Sequence, residues 1–360
     1  MLRRLILSFL VPIIFCLGTQ GAYAGEHRDR SLSVMTRNVD AGSDFGFVLS
    51  ATDELSAVMG VTKTYQEMVA SNFPERADGI AAEIQAKRPD LIGLQEVTTL
   101  STGPYGGPAT TVVYDQLQLL LSAIKLRRLH YQVVALQTNA DIEMPAFSDF
   151  PNMMDVRLTD FDVILARTDL PVSEFKLGSI QKQHFTATVE LPVLGQTVPV
   201  LRGWISVDAK MHGKKYRFVT THLEDFDFNI QAAQAIELVN GPLNTGLPVI
   251  LAGDLNSDAN DPNSTTSPAY HVVVNAGLQD VWRELHPYNP GFTWPLHGED
   301  PATTASTPTQ RIDLVFERGE GLRPRRIVLV GNTSRDLTPN GFWPSDHAGV
   351  IAHFEPGNIR

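Results

Sequence analysis

Leu247-Pro248-Val249-Ile250-Leu251-Ala252-Gly253-Asp254-Leu255-Asn256-Ser257-Asp258 is the stretch that decides how this chain is read. Val249 to Ala252 is short and wholly apolar, the pattern of a buried strand, and Gly253 opens a turn after it. Asp254 and Asn256 follow, an acid and an amide two residues apart on a loop fed by that strand. The carboxylate can take a proton from water, and the amide can hold that water or donate to a developing oxyanion. The same pair also suits an Asx turn, in which the side chains only cap their own loop.

The same arrangement, an apolar run and then polar residues, recurs on both sides. Ser31 to Val39 reads as a first strand ending in Thr36-Arg37-Asn38-Val39-Asp40, and Leu91 to Gln95 as a buried strand ending at Glu96. Leu201 to Ala209 and Lys215 to Thr221 read as a hairpin across His212-Gly213 that delivers Thr221-His222-Leu223. Tyr131 to Leu136, Val163 to Ala166, Ile312 to Phe316, Arg326 to Val330 and Ala348 to His353 complete the strands, with Asp313 and Asp346-His347 at or beside ends. Between them, Asn72-Phe73-Pro74-Glu75 starts a helix whose Ala77, Ile80, Ala81 and Ile84 share one face. Tyr114 to Leu126 also reads as helix, as does the stretch carrying Ala232, Ala235, Ile236 and Val239 on one face. Residues 41–72, with a possible helix from Val61 to Ala70, read as a lid or insertion. Residues 138–160 read as a long loop, either folded on its own apolar cluster or serving as an apolar wall beside the site.

With 360 residues, 43% of them hydrophobic, the chain can bury a sizeable core, and no repeat or linker divides it, so one domain is expected. Arg3 and Arg4, the apolar run Leu5 to Leu17 and Ala22-Tyr23-Ala24 have the form of a secretory signal peptide cleaved after Ala24. The run is shorter than the ~20 residues of a membrane span, so no transmembrane segment is expected in the mature chain, which would be secreted or periplasmic. Cys16, the only cysteine, leaves with the signal, so residues 25–360 must be held by their core or a bound metal rather than a disulfide. The net charge of −11 becomes two units more negative once Arg3 and Arg4 are gone. No broad basic track for polynucleotides is visible, which argues weakly against tight nucleic-acid binding but not against a nuclease whose metal supplies positive charge at the phosphate.

Taken singly, each polar strand end has a plain explanation: Asp40 as a turn former, His222 as a satisfied core histidine, Asp313 as a partner of Arg311 or Arg326. Asn38, Asp40, Glu96, His222, Asp254, Asn256, Asp313, Asp346 and His347 together are a different matter, because strand ends of a layered α/β fold converge on one crevice. Glu96 and Asp346 are hard oxygen ligands, and there is no thiol or close histidine pair for zinc, so Mg²⁺ or Mn²⁺ fits the set. Such an ion on a phosphoryl oxygen, with a base beside it, is suited to phosphoester hydrolysis.

Asn38 in Thr-Arg-Asn-Val-Asp, Glu96 in Ile-Gly-Leu-Gln-Glu, His222 in Thr-His-Leu, Gly253-Asp254-x-Asn256, Arg311-Ile312-Asp313 and Ser345-Asp346-His347 stand in an order that resembles the endonuclease/exonuclease/phosphatase superfamily. That superfamily includes deoxyribonuclease I, the exonuclease III-type repair enzymes and the neutral and bacterial sphingomyelinases. Gly277 to Trp282 and Gly291 to Trp294 also resemble its segment before the last acidic motif, and the likeness spans about residues 31–354. The resemblance implies a four-layered α/β sandwich, two mixed β-sheets face to face with helices outside. It implies that Glu96 and Asp346 bind metal, with Asn38 and Asp40 in that shell. It further implies that Asp254 activates water, Asn256 orients the water or the phosphate, and His347 contacts the scissile phosphate, oriented by Asp313. His222 is then a second phosphate-contacting or acid group, as in the deoxyribonuclease I and sphingomyelinase branches. Two features depart from the pattern: Asp160-Phe161-Asp162 stands where the repair enzymes carry a tyrosine, with Arg157 as a candidate substitute, and 41–72 is long. The expected activity is an exported Mg²⁺-dependent phosphodiesterase acting on nucleic acid or a phospholipid head group, with no obligate protein partner. The alternative is an inactive binding protein on the same scaffold.

Overall fold

The computed structural model describes residues 31–43, 45–193, 196–211, 213–297 and 307–356. The expected signal peptide at 1–24, His212 and most of the polar loop after His297 lie outside the described residues. In chain order come β1 (Leu32–Asn38), α1 (Gly46–Leu49), α2 (Glu54–Ala70), α3 (Phe73–Lys87), β2 (Leu91–Pro104), β3 (Thr111–Asp115), α4 (Gln116–Leu126), β4 (Tyr131–Asp149) and β5 (Asn152–Arg167). Then follow β6 (Phe175–His184), β7 (Val189–Val193), β8 (Gln196–Val200), β9 (Gly203–Met211), β10 (Lys214–His222), α5 (Phe228–Asn240) and β11 (Val249–Asp254). The chain closes with α6 (Pro268–Asn275), β12 (Gln279–Asp280), α7 (Val281–Leu285), β13 (Asp313–Arg318), β14 (Leu322–Val330) and β15 (Gly349–Pro356).

Two mixed sheets form. One runs β14-β15-β1-β2-β5-β4, with β3 also on β2, and the other β12-β13-β11-β10-β9-β6; β7 and β8 pair apart. β1–β2 and β10–β11 are parallel, and their neighbours antiparallel. Val34, Ile164 and Val350 from the first sheet meet Ile205, Phe218 and Ile250 from the second in one apolar layer. On the outer face of the first sheet, Ile80 and Ile84 of α3 and Leu120 and Ile124 of α4 cover Met35, Ile92 and Leu165. On the outer face of the second, Leu238 of α5 and Val273 of α6 cover Val219, Leu251 and Phe316. This is the four-layered sandwich, and it explains why Val249 to Ala252 of β11 are apolar without alternation: both faces are covered, and every residue of β11, as of β1, is buried. Truncating one such side chain, Ile250→Ala, would cost about 2–5 kcal/mol.

The sheets are also joined by polar groups. Thr36 Oγ1 donates to Gln95 Oε1 (3.1 Å), and Gln95 Nε2 donates across the interface to Thr220 Oγ1 (2.9 Å). Gly93 permits this approach, since any side chain there would collide with Thr220.

Three expectations change. Residues 138–160 are not a loop: they are the long arms of a β4–β5 hairpin that turns at Phe150-Pro151. Ala140, Ile142, Met144 and Ala146 alternate as a strand requires, and Pro145 and the intervening polar residues mask that period. In α5 the buried face is Gln231, Gln234, Ala235 and Leu238, with Ile236 half exposed, because the two glutamines reach loop backbone. Asn72 precedes α3 in the left-handed region (φ 52°) and caps no backbone N–H; its amide donates to Glu75 Oε2 (2.7 Å) instead. The helix in the 41–72 segment extends back to Glu54, capped by Asp53 and Ser56. That segment packs on the hairpin, where Phe147 N donates to Thr62 Oγ1 (2.8 Å), and on β3, where Tyr114 OH donates to Val69 O (3.2 Å). Among the described residues no helix is long and apolar enough to cross a membrane.

Candidate active site

Strand register assembles the site. His222, Asp254 and Asp313 lie opposite one another at the ends of β10, β11 and β13. Across the interface Asn38 ends β1 beside Gln95. Glu96 sits on a β-bulge: Gln95 and Glu96 together face one residue of β5, since the pairing jumps from Leu94–Val163 to Val97–Phe161. Glu96 there takes φ 57°, and the extra residue re-aims its carboxylate toward the neighbouring sheet. Ser345-Asp346-His347 arrives just before β15 and is tied back when Ser345 Oγ donates to Asn38 O (2.8 Å).

Asn38 is the hinge of the group. Its Nδ2 donates to Glu96 Oε1 (2.7 Å) and to Asp254 Oδ2 (3.1 Å), linking the two sheets' carboxylates. Asp254 Oδ1 accepts from Asn256 N (2.9 Å), so the Asx turn is present, while Oδ2 faces the site within 3.7 Å of both His222 and His347. The turn and the reactive carboxylate are one structure. Asn256 takes φ 48°, and its amide lies 3.1 Å from His222 Nε2 while donating to Leu223 O (3.0 Å). His347 Nδ1 lies 2.8 Å from Asp313 Oδ2.

Burial and crowding set the charges. Asp254 is pushed up to about 7 by burial and by the Asp313 carboxylate, poised to gain and lose a proton near neutrality. Burial opposes the charge on His347, but Asp313, Asp346 and Asp254 outweigh it and hold the imidazolium well above the usual range. His222 goes the other way, driven well below its ordinary value by burial and by Arg202. Arg202 Nη1 is 2.8 Å from His222 Nδ1 and Asn256 Nδ2 is 3.1 Å from Nε2; both groups only donate, so each ring nitrogen faces a donor and a second proton on the ring is disfavoured. Two histidines, one held cationic and one neutral, face a single carboxylate.

The remaining expected residues divide. Asp346 lines the same cleft, its Oδ2 accepting from Trp294 Nε1 (3.1 Å). Asp40 is held aside: Arg76 donates to its Oδ2 (3.0 Å), Gly42 N to its Oδ1 (2.6 Å), and His297 Nε2 is 3.5 Å away. Burial works against that charge, but Arg76 and His297 keep the carboxyl well below the ordinary range. Arg157 is not in the site; it pairs with Asp141 on the hairpin arm at 2.6 Å. Arg311 pairs with buried Asp280 (2.6 Å), which frees Asp313 for His347. Sequence reasoning missed Arg202, an isolated arginine before β9 with no local signal. It also left Trp294 and Thr293 without roles; Thr293 Oγ1 accepts from Asp313 N (3.2 Å) and fixes that strand start.

The sequence profile described as "Endonuclease/Exonuclease/phosphatase family" matches residues 67–347. The chain belongs to that family. It is accordingly a phosphoric ester hydrolase. Solved structures of the endonuclease/exonuclease/phosphatase fold agree over nearly the whole chain. Humanized D. rerio TDP2 superposes with a TM-score of 0.54 at 18% identity, covering 90% of this chain and 99% of that one. The Bacteroides thetaiotaomicron mannosyl-6-phosphatase Bt3783 gives 0.56 at 18% identity, with coverages of 90% and 99%. A Leptotrichia buccalis family protein gives 0.55 at 18%, again over 90% and 99%. At these identities the likeness is one of fold. No curated protein gives a significant match.

The donor set fits a hard divalent cation. Glu96, His222 and Asp254 bring ligand atoms within 4.8 Å of one another, as do Asp254, Asp313 and His347. Glu96 is pushed up to about 8 by burial and by Asp346, a like-charge crowding that a cation between them would relieve. Its two oxygens accept only from Asn38 Nδ2 and Ala41 N among the described contacts, and the side chain remains 27% exposed to the cleft.

Proposed function

We propose that the mature chain is exported and hydrolyses a phosphodiester by in-line attack of water, with Mg²⁺ or Mn²⁺ held by Glu96 and Asp346. The bound ion would offset charge on a non-bridging phosphoryl oxygen. Asp254 takes the proton of the attacking water on Oδ2 as the water oxygen bonds to phosphorus and the ester P–O bond breaks. Asn256 orients that water or the phosphate, and Asn38 holds Asp254 and Glu96 in register. The imidazolium of His347, kept charged by Asp313, faces the phosphate, and His222 is the second phosphate-contacting or acid group beside the leaving oxygen. The observation that carries this reading is the meeting of Glu96, His222, Asp254 and His347 from two sheets around one buried carboxylate. The substrate class is nucleic acid or a phospholipid head group. D. rerio TDP2, solved with a single-strand DNA product, illustrates the first on this fold.

The test is hydrolysis of bis-p-nitrophenyl phosphate by protein purified from the exported fraction. Turnover that disappears in chelator and returns with Mg²⁺ or Mn²⁺ is expected. No metal-dependent turnover would leave an inactive binding scaffold, and an intact mass retaining Met1 to Ala24 would remove export.

A further inference from the structure

The cleft holding the site is larger than a phosphate needs. Its volume is about 1280 Å³, against the ~300–1,000 Å³ of ordinary small-molecule pockets. Glu96, Asp254 and His347 occupy one part. The rest is walled by α1 and α2 on one side and by the β4–β5 arms on the other. Ile142 and Leu158, directly opposite each other across the hairpin, line it with Val61, Met68, Leu100 and Met144. Phe47 and Leu49 stand at its rim, 41% and 40% exposed, and Phe226 and Phe228, which also line it, are 52% and 44% exposed. These walls are built rather than loose. Gly60 lets α1 lie against α2, since a side chain there would strike the Phe47 backbone, and Thr62 accepts from Phe147 N of the hairpin.

Charge decides what fits. Among the described residues Arg202 is the one arginine or lysine on the cleft wall. Glu67, Asp160, Asp225, Asp258 and Asp261 line it in addition to the acids around Asp254. A polynucleotide would lay further phosphates along these carboxylates, with no cationic partner to take up its counterions' role. A substrate with a single phosphate and an uncharged hydrocarbon tail meets no such repulsion, and gains from covering exposed apolar wall.

We propose that the apolar arm of the cleft between α1–α2 and the β4–β5 hairpin is a binding site for the hydrocarbon chain of a phospholipid substrate. This rests on the phosphodiesterase reading above for its chemistry, but its own readout is binding. n-Alkyl phosphates from methyl to octyl, kept below their micelle concentrations, compete against bis-p-nitrophenyl phosphate and are titrated calorimetrically. The inhibition constant should fall ~3-fold per methylene, at least ~10²-fold from methyl to octyl. Ile142→Ser with Leu158→Ser should flatten that series while leaving bis-p-nitrophenyl phosphate turnover intact. Phe47→Ser, at the exposed rim, should weaken the octyl compound several-fold if the double variant does not fold. A flat series in folded, active wild-type protein overturns the proposal, as does tightening with length in oligothymidylates but not in alkyl phosphates. If bis-p-nitrophenyl phosphate is not turned over at all, calorimetry still reads the chain-length dependence, so failure of the chemistry and failure of the hydrocarbon site are distinguishable.

Discussion

Replacing Asp254 by asparagine removes a proton acceptor without changing side-chain size, and its surroundings give two separable consequences. Loss of a general base costs ~10² to 10⁴ in kcat, about 3–5 kcal/mol of barrier. Stability should move the other way. Burial and Asp313 raise the carboxyl from 3.8 to about 7, a difference of the order of 4 kcal/mol between its two forms. Because the folded-state value lies above the unfolded one, the penalty is absent below pH ~4, where both states hold the proton. It grows as pH rises to about 7 and is full above that. Asparagine carries no such charge. It keeps the bond from Asn256 N on its oxygen but sets its NH2 against Asn38 Nδ2, a loss of about 1–3 kcal/mol unless Asn38 turns. The net expectation at pH 8 in chelator is a gain of ~1–3 kcal/mol, seen as a Tm higher by roughly 2–6 °C. The gain should shrink toward pH 4. Stopped or steady-state turnover of bis-p-nitrophenyl phosphate and thermal melts at the two pH values measure both. Unchanged kcat with unchanged Tm would mean that Asp254 is a turn residue only, and His347 would become the first candidate base.

Asp313→Asn should lower kcat by about 10²- to 10⁴-fold, since His347 loses the partner that orients and charges it; the His347 titration followed by NMR should move to lower pH than in wild type. Glu96→Gln should raise the Mg²⁺ concentration for half-maximal activity at least ~10-fold, and a metal titration with unchanged midpoint would take Glu96 out of the metal site. Arg76→Met should destabilise by about 3–5 kcal/mol in urea melts, because it strands the buried Asp40 carboxylate, whereas Arg76→Met with Asp40→Asn should recover part of that loss. Asp40 contributes stability that is present above the unfolded value near 3.8 and lost as pH falls below it, so the Arg76→Met defect should narrow in acid.

The parts of the fold that could be read from sequence were those whose signal is local. An apolar run such as Val249 to Ala252, closed by glycine and an acid, announces both a covered strand and what stands at its end. The ordered set from Asn38 to His347 then carried the family. The β4–β5 arms were illegible because a half-exposed strand mixes charges with alternating apolar residues, and Pro145 breaks the run by eye though not in space. The buried face of α5 was misplaced because Gln231 and Gln234 are buried for their hydrogen bonds, which hydropathy does not score. Arg202 acts on His222, twenty residues away in sequence, across the antiparallel pair of β9 and β10, and Asp40 is drawn off by Arg76 of α3. Such pairings are tertiary and leave no periodic trace.

The Thr36–Gln95–Thr220 bridge between the sheets has a mechanical consequence. Asn38 and Glu96 ride on one plate, and His222, Asp254 and Asp313 on the other. The bridge bolts the plates together a turn or less from the reacting groups, where oil alone would let them slide. Loop movement then leaves the spacing of Asn38 and Glu96 from His222, Asp254 and Asp313 unchanged; only shear of a whole sheet could alter it, against both the bolt and the core. Tolerance to change is therefore pushed outward, to the 41–72 segment and the hairpin tips. A scaffold machined in this way can keep one bond-breaking geometry while its margins are recut for different substrates.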